Sequence, residues 1–160
     1  MTDLKIEIKT LHPTKDNIKV CECIRYDSIG QKIPDEYLLN SKCASRILDA
    51  EILIFAMYVE DILAAGCYVS DSFDTLFIEQ LFVKKEFQET GLYLGRRLLT
   101  YVLENRETVE RYFHYHPTES ELFFTSNKSK NIYEKIGYKT KEEKTNLMSK
   151  GLPNIQSKQL

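Results

Sequence analysis

The 160-residue sequence predicts an α+β fold in which a mostly antiparallel central sheet is flanked by helices. Two β-rich runs, residues 51–59 and 62–70, are separated only by Glu60-Asp61, which is typical of an antiparallel hairpin. After a turn at residues 71–74, a third run over residues 76–83 leads through a short polar link into residues 91–105, whose leucines recur at helical spacing. Three antiparallel strands followed by a helix therefore form the centre of the predicted domain.

The first third of the chain predicts one strand and two helices. Residues 4–11 alternate polar and apolar side chains and are closed by Pro13, as expected for a strand. Residues 14–25 predict a helix capped by Thr14, and residues 35–48 predict a second helix. The side chains expected to face the core are Ile18, Val20, Cys21 and Ile24 in the first helix and Leu38, Leu39, Cys43 and Ile47 in the second.

The last third predicts shorter elements. The aromatic stretch 107–115 extends the helical region, residues 121–125 form a short strand, and residues 128–136 form a helix. A further strand begins at Gly137 and continues to residue 140. We expect one domain over residues 1–150, followed by a polar C-terminal tail over residues 151–160.

The composition excludes several classes of function. The 22 basic and 24 acidic residues give a formal net charge of −2, so neither a nucleic-acid partner nor an anionic membrane surface is expected. No apolar run is long enough to span a bilayer. Cys21, Cys23, Cys43 and Cys67 lack metal-ligand spacing, so we expect no metal and free thiols in a reducing cytoplasm.

The link between the third strand and the following helix predicts an anion site. Residues 84–90 are polar and precede Gly91, at which we place the start of the helix. Backbone N–H groups at a helix start have no partner within the helix, and glycine permits a ligand to approach the backbone closely. The helix dipole adds a partial positive charge at the same point. The sequence therefore predicts a phosphate-binding loop here.

Four features together resemble the GNAT superfamily of acetyl-CoA-dependent N-acetyltransferases. They are the strand with Glu79, the Gln88-x-x-Gly91 helix start, the Asn127-x-Ser129 segment and the YEKIGY block over residues 133–138. The resemblance implies a GNAT-type mixed sheet that is splayed between its fourth and fifth strands. It also implies acetyl-CoA as co-substrate, with no metal, and an amine as acceptor. Each motif is weak alone, but the two blocks occur in the expected order.

Two positions depart from the pattern of this family. Tyr93 stands where members usually have glycine or alanine, and Gly95 follows two residues later. Ser126 stands at the place of the usual asparagine, whereas Asn127 lies one residue nearer to Tyr133. Both Ser126 and Asn127 are therefore candidates to face the cofactor.

The resemblance implies Glu79 as general base and Tyr133 as general acid. Burial of Glu79 among apolar strand neighbours would make its carboxylate a stronger base, and the adjacent Gln80 breaks the strand alternation as a β-bulge would. The alternatives are a Glu79 side chain that points to solvent and a Tyr133 side chain that only packs beneath the sheet. A hydrolase triad is not expected, because His114 and His116 have no serine or cysteine at motif spacing.

The resemblance also implies where the cofactor binds. The backbone of Leu81, Phe82 and Val83 would pair with the pantetheine arm, and one of its N–H groups would act as an oxyanion donor. The pyrophosphate would lie against the loop Gln88, Glu89, Thr90, Gly91, Leu92 and Tyr93, with Asn127 and Ser129 nearby. Lys84, Arg96 and Arg97 either balance the charge of the adenosine phosphates or are ordinary surface residues.

The predicted function is transfer of an acetyl group from acetyl-CoA to a primary amine of a small molecule or a peptide. A protein-terminus modifier is one form of this function, and the alternative is a catalytically silent CoA-binding module. Residues 26–46 and a last hairpin over residues 138–148 would select the acceptor. Five acidic residues in these segments either attract a cationic amine or are ordinary charged surface residues. They are Asp27, Asp35, Glu36, Glu142 and Glu143. A monomer or homodimer is expected.

Overall fold

A computed structural model describes residues 3–142 and 145–153, which contain a seven-stranded sheet with the strand order β1-β2-β3-β4-β5-β7-β6. The strands are β1 (Ile6–Leu11), β2 (Leu53–Val59), β3 (Ile62–Ser72), β4 (Thr75–Val83), β5 (Glu119–Phe123), β6 (Lys139–Thr140) and β7 (Leu147–Gly151). The helices are α1 (Lys15–Ser28), α2 (Lys42–Leu48), α3 (Leu94–Glu104), α4 (Arg106–Phe113) and α5 (Asn127–Ile136). Short 3-10 turns cover Asp35–Tyr37 and Lys85–Phe87.

The sheet is antiparallel at every junction of the described strands except the one between β4 and β5. These two strands run parallel and pair only from Thr75–Glu119 to Ile78–Leu122. Beyond Ile78 they separate, so the predicted α+β fold and the predicted splay between the fourth and fifth strands are both confirmed.

Helices cover both faces of the sheet. Helices α3 and α4 bury Leu98 and Val109, among others, against one face, while α1 and α2 bury Ile18 and Ile47 against the other. Side chains alternate along a strand, so neighbouring residues of β3 enter different cores. Cys67 lies in the core beneath α3, and Tyr68 lies in the core beneath α1 and α2. Among the described residues, no helix is long and apolar enough to cross a bilayer.

The β3 hairpin turns have the backbone that the sequence implies. Glu60 and Asp61 both have positive φ, at 49° and 65°, and they join β2 to β3 as predicted. Phe73 and Asp74 repeat this conformation between β3 and β4. The predicted cap of α1 is also confirmed, since the Thr14 hydroxyl accepts a hydrogen bond from the Asn17 N–H at 3.2 Å.

Three predicted details of the helices are wrong. The single helix over residues 35–48 is divided, because Ser41 caps α2 by accepting a hydrogen bond from the Ala44 N–H at 2.9 Å. Val20 is 51% exposed instead of buried, and the inward position is taken by Glu22. Helix α3 begins at Leu94 and not at Gly91, because the residues before it have a left-handed backbone.

The C-terminal hairpin extends further than predicted. Strand β7 pairs with β5 as far as Gly151, and the Leu152 N–H donates to the Thr118 carbonyl at 3.0 Å. The predicted domain boundary at residue 150 therefore lies within a paired strand. Glu143 and most of the predicted tail, residues 154–160, lie outside the described residues.

Candidate active site

A β-bulge on β4 sets the position of Glu79. Tyr68 of β3 pairs with Gln80, but the next residue, Val69, pairs with Ile78, so Glu79 has no partner across the ladder. The bulge that the sequence predicts beside Gln80 is thus confirmed. An extra residue in a strand redirects its side chain, and here the Glu79 side chain turns toward α2.

The Glu79 carboxylate lies in polar surroundings. It accepts a hydrogen bond from the Arg46 guanidinium of α2 and another from the Ser70 hydroxyl at 3.2 Å. Its side chain is only 16% exposed. We expected Glu79 to lie among apolar strand neighbours, but its carboxylate has these two polar partners. The alternative in which Glu79 points into solvent is wrong.

Beyond the bulge, β4 borders the opening of the sheet. Residues 80–83 pair with β3 but have no described partner on β5. Leu81 and Val83 pack against the core beneath α3, while Phe82 is buried on the α1 side. Their side chains are thus engaged in packing, and the strand presents its backbone edge to the opening.

Tyr133 lies on α5 and packs on the same side of the sheet as α3. Its ring lies 6.2 Å from that of Tyr138 in an edge-to-face arrangement. Burial raises the pKa of Tyr133 to about 12, and the nearby Cys67 contributes in the same direction. The hydroxyl is therefore protonated at neutral pH and is chemically able to donate a proton.

The predicted phosphate loop has an alternating left-handed backbone. Glu89, Gly91 and Tyr93 have φ values of 58°, 80° and 53°. No described residue accepts a hydrogen bond from the backbone N–H groups of Glu89, Thr90, Gly91 or Tyr93. At Gly91 a Cβ atom would meet nothing within 4 Å, so the loop is open on this side. These N–H groups, next to the start of α3, form a site suited to an anion.

Gln88 shapes this loop in a way that differs from the prediction. Its backbone N–H is bonded to the Lys85 carbonyl, and its side-chain amide donates to the carbonyls of Ser28, at 2.9 Å, and Val83, at 2.8 Å. The acidic Asp27 adds a second brace, because its carboxylate accepts a hydrogen bond from the Lys85 N–H at 2.9 Å. Both side chains therefore tie the loop to the end of α1.

The start of α5 lies across from the loop. Ser126 and Ser129 form a capping box, in which each hydroxyl accepts a hydrogen bond from the other residue's backbone N–H. Asn127 is exposed. Lys128, which the sequence analysis did not single out, contacts the exposed Glu89 carboxylate at 3.3 Å and brings a positive charge to the loop.

A groove of about 900 Å³ lies on the β1 side of α3, and the loop residues Gly91 and Leu92 line one end of it. Tyr93 lines this groove and is 70% exposed. Its ring therefore does not fill the space in front of the loop N–H groups. Arg96 and Arg97 also line this groove. Gly95 lies inside α3 and faces Val83, which leaves Gly91 as the glycine of the loop.

The cysteines are structural in character. All four are free, and Cys21 and Cys67 are buried. Burial raises the pKa of Cys21 to about 12 and also raises the pKa of Cys67. Among the described residues, no group of three or more histidine, cysteine, aspartate or glutamate side chains could hold a metal ion.

Comparison with known families identifies the chain. Residues 20–155 match the family model described as an acetyltransferase (GNAT) domain. The chain belongs to the GNAT acetyltransferase family. The match includes α2, the bulge with Glu79, the phosphate loop and the helix with Tyr133, and it confirms the resemblance drawn from the motifs. No curated protein is similar enough in sequence to match the chain.

Solved structures of GNAT proteins share the fold. The chain is similar to the PaiA N-acetyltransferase of Thermoplasma acidophilum in complex with coenzyme A, with 16% identity, a TM-score of 0.65, and coverage of 92% of this chain and 99% of that one. It is also similar to the ribosomal-protein-S18-alanine N-acetyltransferase of Escherichia coli, with 13% identity, a TM-score of 0.66, and 94% and 96% coverage. A putative GNAT acetyltransferase of Desulfovibrio desulfuricans gives 12% identity, a TM-score of 0.69, and 93% and 100% coverage.

The structure adds one residue to the candidate site whose contact with Glu79 was not predicted from the sequence. Arg46 lies 33 positions from Glu79 and contacts its carboxylate. An arginine near the end of a short helix carries no motif, and only the packing of α2 on the sheet brings it there. The one sequence signal that could have suggested this contact is that Arg46 lies on a helix expected to pack near the fourth strand.

Proposed function

We propose that this GNAT protein transfers an acetyl group from acetyl-CoA to a primary amine by direct attack, with Glu79 as base and Tyr133 as acid. The observation that carries the proposal is the bulge. It places the Glu79 carboxylate where β4 leaves β5, at the mouth of the opening that the cofactor arm would enter. A carboxylate at that point is within the same cleft as a thioester bound along β4.

The base is needed because an alkyl amine, with a pKa of about 10.4, is mostly protonated at neutral pH. Glu79 takes this proton, directly or through a water molecule, and the amine nitrogen then attacks the thioester carbonyl. Arg46 and Ser70 fix the carboxylate in position through their hydrogen bonds. The amine approaches Glu79 from the face of the sheet on which α2 packs. Arg46 of α2 and Ser70 of β3 contact the carboxylate on this face.

The remaining steps fall to β4 and α5. Attack forms the C–N bond and a tetrahedral oxyanion, which a free backbone N–H of residues 81–83 stabilises. Collapse of this intermediate breaks the C–S bond, and the departing thiolate takes a proton from the Tyr133 hydroxyl. The nitrogen gives its second proton to water, water reprotonates Tyr133, and Glu79 releases the first proton to solvent. General acid-base help of this kind is typically worth roughly 10²- to 10⁴-fold in rate.

The phosphate loop supplies cofactor affinity. The N–H groups of Glu89, Thr90, Gly91 and Tyr93 and the start of α3 would hold the pyrophosphate. Lys128 offsets the charge of Glu89 across the loop. Asn127 is exposed beside Lys128 and is available to the cofactor, whereas the Ser129 hydroxyl is used in the capping box.

The second candidate is a CoA-binding module without transfer activity, and the Arg46–Glu79 ion pair is the observation that favours it. A carboxylate already bonded to a guanidinium is less free to accept a proton. In this case the phosphate loop would still bind CoA, but no thiol would be released.

Calorimetric titration with acetyl-CoA and a thiol-release assay against a panel of amines separate the two candidates. We expect acetyl-CoA to bind and the thiol to be released with one class of amine. Glu79→Gln should lower kcat by at least about 100-fold while leaving the acetyl-CoA Kd within about twofold. Glu7→Gln, the same change on the exposed face of β1, is the matched control. Binding without release supports the silent module, and absence of binding contradicts both candidates.

A further inference from the structure

Two aromatic side chains near Glu79, Phe77 and Phe123, belong to neither hydrophobic core. Phe77 precedes Glu79 by two residues and pairs with Ser70, whose hydroxyl contacts the Glu79 carboxylate. Phe123 of β5 lies next to Phe77, with ring centroids 5.8 Å apart in an edge-to-face arrangement. Phe123 is 51% exposed, although it is a large apolar residue.

The alternation of the strands shows that these rings do not belong to the hydrophobic core. Ile78 and Leu122, the neighbours of Phe77 and Phe123, are buried in the core beneath α3. Phe77 and Phe123 therefore project from the opposite face, the one to which Glu79 also turns. Neither ring belongs to the core that α1 and α2 cover.

The charges around these rings suit a cation. Glu51 and Glu79 contact Arg46, and Glu119 and Glu121 contact Lys141. The exposed Lys139 lies in the same row of the sheet, because it pairs with Ser149, which pairs with Glu121. Four carboxylates are thus met by three basic side chains, which leaves an excess of one negative charge. An acceptor with its own carboxylate would add repulsion, whereas an ammonium group would be attracted.

We infer, on the basis of the proposed function, that the acceptor is a primary amine with an aromatic group and without a carboxylate. The ammonium group of this amine lies at Glu79. Its aromatic ring packs against Phe77 and Phe123, and the three rings form an edge-to-face cluster. Two residues along a strand span roughly 7 Å, which is about the reach of a phenyl ring joined to an amine by two carbons. The pair Phe77 and Phe123 thus acts as a specificity determinant of the acetyltransferase.

The experiment compares 2-phenylethylamine with spermidine and with phenylalanine in the thiol-release assay. We expect kcat/KM for 2-phenylethylamine to exceed the other two by about tenfold or more, which corresponds to burial of one aromatic ring. Phe77→Ala and Phe123→Ala should each raise the KM for 2-phenylethylamine by roughly tenfold. Phe73→Ala is the matched control, because Phe73 is 99% exposed at the tip of the β3–β4 hairpin.

A binding measurement gives a readout apart from turnover. 2-Phenylethylamine is titrated into protein saturated with CoA, and we expect binding that Phe123→Ala weakens and Phe73→Ala does not. Phe77→Leu keeps an apolar strand residue and replaces Phe77→Ala if that variant does not fold. Preference for spermidine or phenylalanine, or unchanged kinetics and binding in the Phe77 and Phe123 variants, overturns the inference while the proposed function stands. Failure of wild-type protein to bind acetyl-CoA overturns the proposed function and the inference with it.

Discussion

The Arg46 guanidinium donates a hydrogen bond to the carboxylate of Glu79, the bulged residue of β4. The same guanidinium contacts Glu51 at 3.5 Å, so it lies between two carboxylates. Arg46 therefore restrains the direction in which the Glu79 carboxylate points.

Arg46→Gln should lower kcat. Without the guanidinium, the Glu79 carboxylate keeps only its hydrogen bond from the Ser70 hydroxyl, so its direction is less fixed and kcat should fall by about tenfold. Arg46→Lys retains a positively charged donor and should restore part of the rate. The measurement is kcat at saturating acetyl-CoA and amine, together with the acetyl-CoA Kd, which should stay unchanged. A wild-type kcat in Arg46→Gln would show that the ion pair does not position the base.

Tyr133→Phe should slow thiol release. The wild-type hydroxyl, with its pKa raised to about 12 by burial and by Cys67, stays protonated through neutral and mildly alkaline pH and can donate to the thiolate. We expect kcat to fall by roughly 10²-fold, with measurable residual activity and an unchanged acetyl-CoA Kd. Tyr138→Phe is the control, since the Tyr138 hydroxyl bonds Ser120 at 2.8 Å in the core and has no part in the reaction. Wild-type kcat in Tyr133→Phe would rule out the acid role.

Gly91→Asp should weaken acetyl-CoA binding. Gly91 has a φ of 80° and no atom within 4 Å of a Cβ position, so an aspartate side chain has room. It would place a negative charge among the N–H groups that we propose bind the phosphates. Gly91→Asn adds nearly the same bulk, tolerates positive φ and lacks the charge. Calorimetry should show a Kd about tenfold higher for Asp than for Asn, with the difference shrinking as salt is added. Equal Kd values in the two variants would place the pyrophosphate elsewhere.

Glu22 predicts an acid-sensitive stability. Its side chain is fully buried, and although burial by itself raises the pKa, hydrogen bonds from Arg25, Ser41 and Tyr68 outweigh it and lower the pKa below the ordinary value of 4.5. Because the folded-state pKa is the lower one, the stabilisation is complete above pH 4.5 and is lost as the pH falls through the folded-state pKa. The free energy of unfolding should therefore fall with acid in this range.

Glu22→Gln tests this relationship. At neutral pH the variant should lose about 3 kcal/mol of unfolding free energy, because it leaves Arg25 without its partner. Its stability should also depend less on pH below 4.5 than that of the wild type. Glu7→Gln on exposed β1 should change the unfolding free energy by less than about 0.5 kcal/mol. Chemical denaturation at several pH values provides the measurement, and parallel pH curves for wild type and Glu22→Gln would contradict the assignment.

Much of the fold was predictable because its signals are local. The β2–β3 hairpin, the Thr14 cap and the bulge beside Gln80 depend on neighbours in the chain, and the structure confirms all three. The division of the second predicted helix was missed because Ser41 serves both as a cap and as a donor to the buried Glu22, which lies 19 positions away. Hydrophobic spacing alone does not report such a long-range hydrogen bond.

The sequence by itself determined the family, the order of most elements, and the residues proposed for the phosphate loop and for catalysis. These follow from motifs and periodicities that extend over a few residues each. Only the tertiary structure decided what surrounds Glu79: Arg46 from α2, Ser70 from β3, and the aromatic pair Phe77 and Phe123 from two strands. The physical reason is that these contacts arise from the packing of separate elements across the sheet, and no local pattern encodes which side chains meet there.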